Sequence, residues 1–407
     1  MSRQVVLCLT TAIALTGCSA SRSGAGSGSE LAVPGSSLSL TRAELDILSE
    51  RADLLERVRS DPYTYYRLLT NSFSQRVCAE FAALAGEMPL VNLHGDAHIE
   101  QYAITPTAHG LDDFDEAGIG PAVVDLVRFA SSIHFACRST GFDCEPDAAV
   151  EAFLGAYATG LTHPDSPVPP PAWVERARSR APLDRTTYLE WAESLMEAPD
   201  PETRTRIVDR WTLFAHLMLR LQPAALDDFY GIERLGSIDI GVGSALDTKF
   251  LLRIRGATEA SEDDVIVEIK PMGEVAAPCL LQAPAGGMLR ILLPTARLGR
   301  IKPQVLGYLP WEEGAGDESQ WWVHSWDFGY QALDIADLES QAQLEEIARD
   351  VGLQLGRGHC NGIAAPLEDL HRLVQARAFD LTRERIGVLA KNLADEVYQS
   401  WLRQMGR

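Results

Sequence analysis

Lysine is nearly missing from this chain. Of 407 residues only Lys249, Lys270, Lys302 and Lys391 are lysines, so arginine fills most of the 36 basic positions. The skew reads as compositional bias toward arginine, and it singles out any lysine set in an apolar strand. Positive charge is short altogether: 57 acidic residues against 36 basic ones leave a net charge of −21. A surface of that sign repels phosphate backbones, which argues against sequence-independent nucleic-acid binding. Long apolar runs are lacking too. Val5 to Leu15 is too short for a permanent membrane span, and nothing after it approaches the roughly 18 apolar residues of a spanning helix. No Cys-x-x-Cys pair occurs, which argues against a zinc ribbon. Five cysteines follow Cys18: Cys78, Cys137, Cys144, Cys279 and Cys360. In an oxidising compartment Cys137 and Cys144 could close a small loop, and five buried thiols is the equal alternative.

What is present reads as globular. Hydrophobic residues make up 46% and charged residues 23%, ordinary values that exclude wholesale disorder. The length allows two or three domains or lobes. Residues 1–18 read as an export signal: Arg3 supplies a positive start, Val5 to Leu15 an apolar stretch, and Leu15-Thr16-Gly17-Cys18 a small-residue end. Leu-Thr-Gly-Cys resembles a bacterial lipobox, which implies lipid on Cys18 and a place in the bacterial cell envelope, on the periplasmic or surface side. Residues 19–39 are Gly/Ser-rich, as expected of a flexible tether.

Thr41-Arg-Ala-Glu44 is a capping box that opens a helix. A second helix is expected from Asp61-Pro62 to about Ala83, short strands at Met88–Leu93 and Gly110–Phe114, and a helix from Pro121 toward Phe135. Residues 147–225 read as helical, broken by the prolines between 167 and 171. Strand texture then sets in: Ile238–Gly243, Lys249–Arg255, Val265–Lys270, Gln304–Leu309 and Trp321–Trp326. Residues 337–407 are helical again. The fold class is α+β, with an antiparallel sheet near 236–330 and a small strand pair near 88–114.

The densest polar cluster is His94-Gly-Asp96-Ala-His98-Ile-Glu-Gln101, followed by Asp112-Asp113-Phe-Asp115-Glu116. An apolar strand enters the first segment and another ends at Asp113. A hairpin-like pairing of those strands sets the carboxylates side by side, where they need a cation or a shared proton. A hard cation such as Mg²⁺ suits oxygen ligands.

These residues carry a resemblance. His94-Gly-Asp-Ala-His98 is similar to the catalytic loop of aminoglycoside-phosphotransferase-like kinases, H-G-D-x-H-x-x-N. Asp113-Phe-Asp-Glu-Ala-Gly-Ile-Gly, with Asp125-Leu twelve residues after Asp113, is similar to their metal segment, D-W-E-D-A-G-x-G … D-L. The bacterial DUF2252 family, with G-D-A-H-x-E-N and N-D-F-D-E, is resembled more closely still, over roughly residues 60–362. The resemblance implies that Asp96 is the catalytic base, that Asp113 holds Mg²⁺ against nucleotide phosphates, and that Asp125 braces the catalytic loop. The metal-binding asparagine falls at Gln101, which keeps the carbonyl but adds a methylene. His94 and His98 would support the loop.

A kinase-like site also needs a phosphate cradle and a lysine. Ile240-Gly241-Val-Gly243-Ser244 lies between two strands, and Val265 to Lys270 is an apolar strand with a lysine, one strand later. DUF2252 shows G-x-G-S and V-K at matching places. Leu355-Gly-Arg-Gly-His359 resembles the helix end that precedes the catalytic loop in phosphotransferases, although here it follows that loop. The expectation is therefore a two-lobed kinase-like fold in circularly permuted order: a helical catalytic lobe over 40–230, a sheet-rich nucleotide lobe over 231–335, and helices over 336–407 completing the first lobe. The implied ligands are Mg²⁺, ATP or another nucleotide, and an unknown hydroxyl-bearing acceptor, small molecule or protein. Two alternatives stand beside it: a lipid-anchored binding protein that has lost catalysis, and a metal-dependent hydrolase using His94, Asp96 and His98, which share a face if their strand continues.

Overall fold

The computed structural model describes residues 38–180, 184–221, 229–238, 249–272, 277–281, 287, 289–314, 317–362, 364 and 366–406. The chain is mixed, with helices and antiparallel sheets. It opens with α1 (Arg42–Glu50), α2 (Ala52–Ser60), α3 (Pro62–Arg67) and α4 (Thr70–Glu80). The capping box forms: Thr41 accepts from the Glu44 N–H, and Glu44 accepts from the Thr41 N–H at 2.6 Å. Asp61 caps α3 through the N–H groups of Tyr63 and Thr64, with Pro62 in the first turn, where no donor is needed.

Four short strands follow: β1 (Leu90–Leu93), β2 (Tyr102–Ile104), β3 (His109–Leu111) and β4 (Gly118–Pro121). The expected pairing of Met88–Leu93 with Gly110–Phe114 is not what forms. β1 pairs with β4, and β3 pairs with β2. Each carboxylate segment leaves its strand into a separate turn, so two small sheets replace one hairpin. α5 (Val123–Ser139) is buried on every side from Val123 to Ala136 and forms the axis of the helical core. Around it pack α6 (Pro146–Thr162) and the long last helix of the chain.

α7 (Ala172–Arg180), α8 (Arg185–Ser194) and α9 (Pro201–Leu221) lead to a five-stranded antiparallel sheet. Its strands are β5 (Ile232–Ile238), β6 (Lys249–Ile254), β7 (Val265–Pro271), β8 (Leu306–Gly314) and β9 (Asp317–Ser325), in the order β5-β6-β7-β9-β8. The first strand begins earlier than expected, at Ile232 rather than Ile238, and the expected stretch over 239–243 lies outside the described residues. The expected cradle of Gly241, Gly243 and Ser244 lies outside the described residues. Alternation sorts the sheet's side chains. Phe250, Leu252, Val267 and Ile269 join Trp211 and Phe214 of α9, while Leu251 and Ile266 join Tyr188 and Leu189 of α8.

Between β7 and β8 runs α10 (Leu289–Leu298), a helix absent from the sequence reading. Pro294 and the flanking glycines mask its apolar face, yet Ile291 and Leu298 are buried in the helical core. β10 (Gln331–Ala332) joins β2. α11 (Gln341–Gly358) and the 39-residue α12 (Leu367–Met405) complete the helical part. α11 lies close against α6, because a Cβ at Gly356 would stand 2.3 Å from the Tyr157 carbonyl oxygen. No described helix is long and apolar enough to cross a membrane.

Two disulfides form, Cys137–Cys144 and Cys78–Cys279, while Cys360 is a buried thiol whose pKa burial pushes up to about 12. The second bridge spans 201 residues and ties α4 to the segment leading into α10. Replacing Cys78 and Cys279 with serine should therefore lower unfolding stability by about 2–4 kcal/mol, measured by denaturant titration. The isolated change at Cys137–Cys144, which closes a short loop, should be smaller.

Candidate active site

The polar loop begins where β1 ends. Leu93 is the last strand residue, and Gly95 takes φ +88°. A Cβ there would sit 1.8 Å from the Glu116 carbonyl oxygen, so only glycine lets the loop lie against the acidic segment. The strand does not continue through His94, Asp96 and His98, and the shared face that a three-ligand metal site would need does not arise.

Asp125, in the first turn of α5, reaches back to hold this loop. Its Oδ2 accepts from the His94 N–H at 2.7 Å and its Oδ1 from the Gly95 N–H at 2.8 Å. His359 Nε2 is 3.2 Å from the same carboxylate. The Gln375 amide donates to Tyr157 Oη, whose own proton then points to His359 Nδ1 at 2.9 Å. That network assigns the His359 proton to Nε2, facing Asp125. Asp125, His94 and His359 are fully buried. Asn92 of β1 adds a second link to the same place: its amide bonds the carbonyls of Gly358, His359 and Asn361, which terminate α11.

Asp96 is buried under a clamp. Arg128, one helical turn beyond Asp125, places Nε and Nη2 each 2.8 Å from Asp96 Oδ1. The guanidinium is fully buried, stacks 3.7 Å over the Tyr66 ring and also donates to the Tyr66 carbonyl. Burial opposes its charge, but Asp96 outweighs burial and holds its pKa above the ordinary value. Among the described residues Asp96 Oδ2 has no such donor; His98 Nε2 is 3.6 Å away and finds no hydrogen-bond partner among them. Burial, with Arg67 and Arg128, keeps His98 well below its ordinary pKa, so the ring is neutral. His94 has both nitrogens engaged with backbone: Nε2 donates to the Asp112 carbonyl at 2.8 Å, and Nδ1 accepts from the Asp96 N–H.

The acidic segment meets the sheet through Lys270. This lysine is 4% exposed at the end of β7. Its Nζ lies 3.2 Å from Asp113 Oδ1 and 2.7 Å from Asp115 Oδ2, and 5.0 Å above the Trp322 ring. Burial alone would lower the lysine pKa, yet Asp113, Asp115 and Glu268 hold it well above normal. Burial raises Asp113, but Lys270 outweighs it and keeps that carboxylate ionised. Burial and the Asp113 charge push Asp115 well above the usual carboxylate range. Burial, Asp96 and Asp113 push Glu116 up to about 8. Asp113 has a left-handed backbone, φ 59°, a region that few residues besides glycine adopt and in which aspartate is enriched.

The structure thus brings together His94, Asp96, His98, Asp125, Asp113 and Lys270. Gln101 is buried in the turn before β2, and its carbonyl accepts from the Asp112 N–H at 2.9 Å, one residue from Asp113. Among the described residues no three His, Cys, Asp or Glu side chains form a metal cage. The donor set still fits Mg²⁺, which takes one or two carboxylates and completes its shell with water and phosphate oxygens. The Asp113 carboxylate, with a side chain 40% exposed, supplies such an oxygen, and Gln101 is tied to the neighbouring residue Asp112 through its backbone carbonyl.

Several members of the site escaped the sequence reading. Arg128 was legible in principle, because it follows Asp125 at i+3 on one helix face. Asp115 had only its place beside Asp113. Glu268 lies two residues before Lys270 on the same strand face. Its carboxylate accepts from Trp326 Nε1 at 2.8 Å and faces His324 Nε2 at 3.2 Å. Burial raises its pKa, but Lys270 and His324 outweigh burial and keep it charged.

Against known proteins, the profile of DUF2252, described as an uncharacterized protein conserved in bacteria, matches residues 54–228. That span holds the polar loop, the acidic segment, Asp125 and Arg128, and stops short of Lys270; it is narrower than the expected 60–362. No curated protein and no solved structure matches the chain.

Proposed function

We propose that the protein is a kinase-like phosphotransferase, two-lobed and circularly permuted, that binds a nucleotide with Mg²⁺ and transfers phosphate to a hydroxyl. The observation that carries this reading is the Lys270–Asp113 contact, made across 157 residues of chain. Phosphoryl transfer needs a lysine for the phosphates and a carboxylate for the metal in one place. The element order supports it: β6, the lysine strand β7, the helix α10, then β8 and β9. So does the junction of α11 with β1, where Asn92 meets His359 across 267 residues. In the unpermuted order that helix would lead into the catalytic loop.

Asp113, with Gln101, would hold Mg²⁺. The bound ion would neutralise charge on the phosphate oxygens. Lys270 binds those oxygens from the sheet side, and Gly241, Gly243 and Ser244 would cradle them. Asp96 orients the acceptor hydroxyl and takes its proton on Oδ2 while Arg128 fixes Oδ1. His94, His98 and Asp125 keep the loop in place. A screen of nucleotides with and without Mg²⁺ by thermal shift tests the reading: a Mg²⁺-dependent rise in melting temperature that grows with nucleotide concentration is expected. No rise with any nucleotide would remove its basis.

One observation favours a second reading, a binding protein without turnover. Arg128 bonds Asp96 through both Nε and Nη2, so one carboxylate oxygen is already taken up by a structural contact. Nucleotide binding with no phosphate released or transferred would select it. The hydrolase reading draws no support from the site, because both His94 nitrogens are already hydrogen-bonded to backbone.

Lipid anchoring through Cys18 in the cell envelope belongs to the same proposal, and two disulfides suit an oxidising compartment. Cys18→Ala should abolish incorporation of labelled fatty acid and release the protein from the membrane fraction. Wild-type protein that takes up no label would contradict it.

A further inference from the structure

Lys270 is held by two carboxylates whose surroundings differ. Asp115 is the nearer, at 2.7 Å against 3.2 Å for Asp113. Its side chain is also the more enclosed, 14% exposed against 40%. An exposed carboxylate faces ligand and solvent; an enclosed one faces the lysine. The backbone around Asp115 is fixed from the other side. Arg290, in the first turn of α10, donates to the carbonyls of Asp115 and Ala117 at 2.9 Å each. α10 itself has no acidic residue between Leu289 and Leu298. In ordinary protein kinases the helix after the lysine strand carries a glutamate that pairs with the lysine. Here that helix offers arginine to the loop backbone, and among the described residues the loop offers a carboxylate to the lysine.

We propose that Asp115 is the positioning residue for Lys270: it keeps the ammonium against the acidic segment while Asp113 serves the metal. The inference rests on the phosphotransferase reading, and its ligand is the polyphosphate chain of a nucleotide. Asp115 then supports the part of phosphate binding that does not need the metal. Asp113 supports the part that does.

Isothermal titration of the purified protein with a nucleoside triphosphate, once with Mg²⁺ and once with EDTA, separates the two roles. Asp115→Asn should weaken binding about tenfold to a hundredfold in both conditions, the range of a charge-assisted hydrogen bond. Asp113→Asn should weaken it chiefly with Mg²⁺. In a Lys270→Met background Asp115→Asn should add nothing. A loss confined to Mg²⁺ would make Asp115 a metal ligand and overturn the proposal, as would no loss at all. If wild type binds no nucleotide, the phosphotransferase reading fails, and the placement of Lys270 is decided by amine acetylation followed by mass spectrometry. Lys270 should then acetylate several-fold faster in Asp115→Asn than in Asp113→Asn, with both disulfides intact; equal or reversed rates overturn the assignment. If Asp115→Asn does not fold, Asp115→Glu keeps the carboxyl group on a longer arm. The same difference in labelling, smaller in size, is then expected, and its absence is equally decisive.

Discussion

Asp113→Asn should remove most Mg²⁺-dependent nucleotide affinity, whereas Asp96→Asn should leave affinity near wild type and abolish turnover. The two residues lie in one acidic cluster around Glu116, and the proposed function gives them different stages. Asp113 faces Lys270 with an ionised, partly exposed carboxylate, the arrangement of a group that holds metal and phosphate in the ground state. Loss of one charge-assisted contact of that kind is worth about 1.5–3 kcal/mol, or roughly tenfold to a hundredfold in Kd. Asp96 is buried behind Arg128, which bonds Oδ1; under the proposed function Oδ2 is the oxygen that meets the hydroxyl. A base acts only in the chemical step, so its removal should lower kcat by roughly 10²–10⁴-fold with little change in binding. Titration calorimetry and a phosphate-transfer assay on the same preparations separate the two outcomes. Equal and small effects of both changes would favour the binding-protein reading.

Asp125→Ala should be the most destabilising single change at the site, by about 3–5 kcal/mol, the range for breaking a buried charged network. Three fully buried groups lose their acceptor together: the N–H groups of His94 and Gly95, and the His359 ring. Each unsatisfied buried donor costs about 1–3 kcal/mol. Asp125→Asn should cost less, because one acceptor oxygen survives. Denaturant unfolding of both variants measures this, and wild-type stability in Asp125→Ala would mean that the loop is held by other contacts.

The sequence was most informative where local chemistry and function coincide. The Thr41 box, the Asp61-Pro62 helix start and the strand around Lys270 follow from residue type and period alone. The neighbourhood of Lys270 and Asp113 was legible because a lysine inside an apolar strand is conspicuous in a chain with four lysines. Pairing was less legible. β1 and β3 are three or four residues long, and nothing in so short a run distinguishes one antiparallel partner from another. α10 was hidden because Pro294 interrupts its pattern, although proline is tolerated here in a helix whose buried face packs on β1, β4 and α11. Asp115 and Arg290 were out of reach for a different reason. Their roles depend on a contact between segments 175 residues apart, which no local pattern encodes. The Cys78–Cys279 bridge is of the same kind: spacing suggests a partner for Cys137, seven residues from Cys144, and suggests none for a cysteine 201 residues from its mate.

The scarcity of lysine makes one measurement especially direct. A nucleotide acyl phosphate transfers its acyl group to a lysine that lies against its phosphates, leaving a tag that mass spectrometry locates. With four candidates in the chain, Lys270 should be tagged in the presence of Mg²⁺, and an excess of free nucleotide should suppress the tag. Tagging at Lys302 or Lys391 alone, or tagging of Lys270 that free nucleotide does not suppress, would contradict a nucleotide cleft between Lys270 and Asp113.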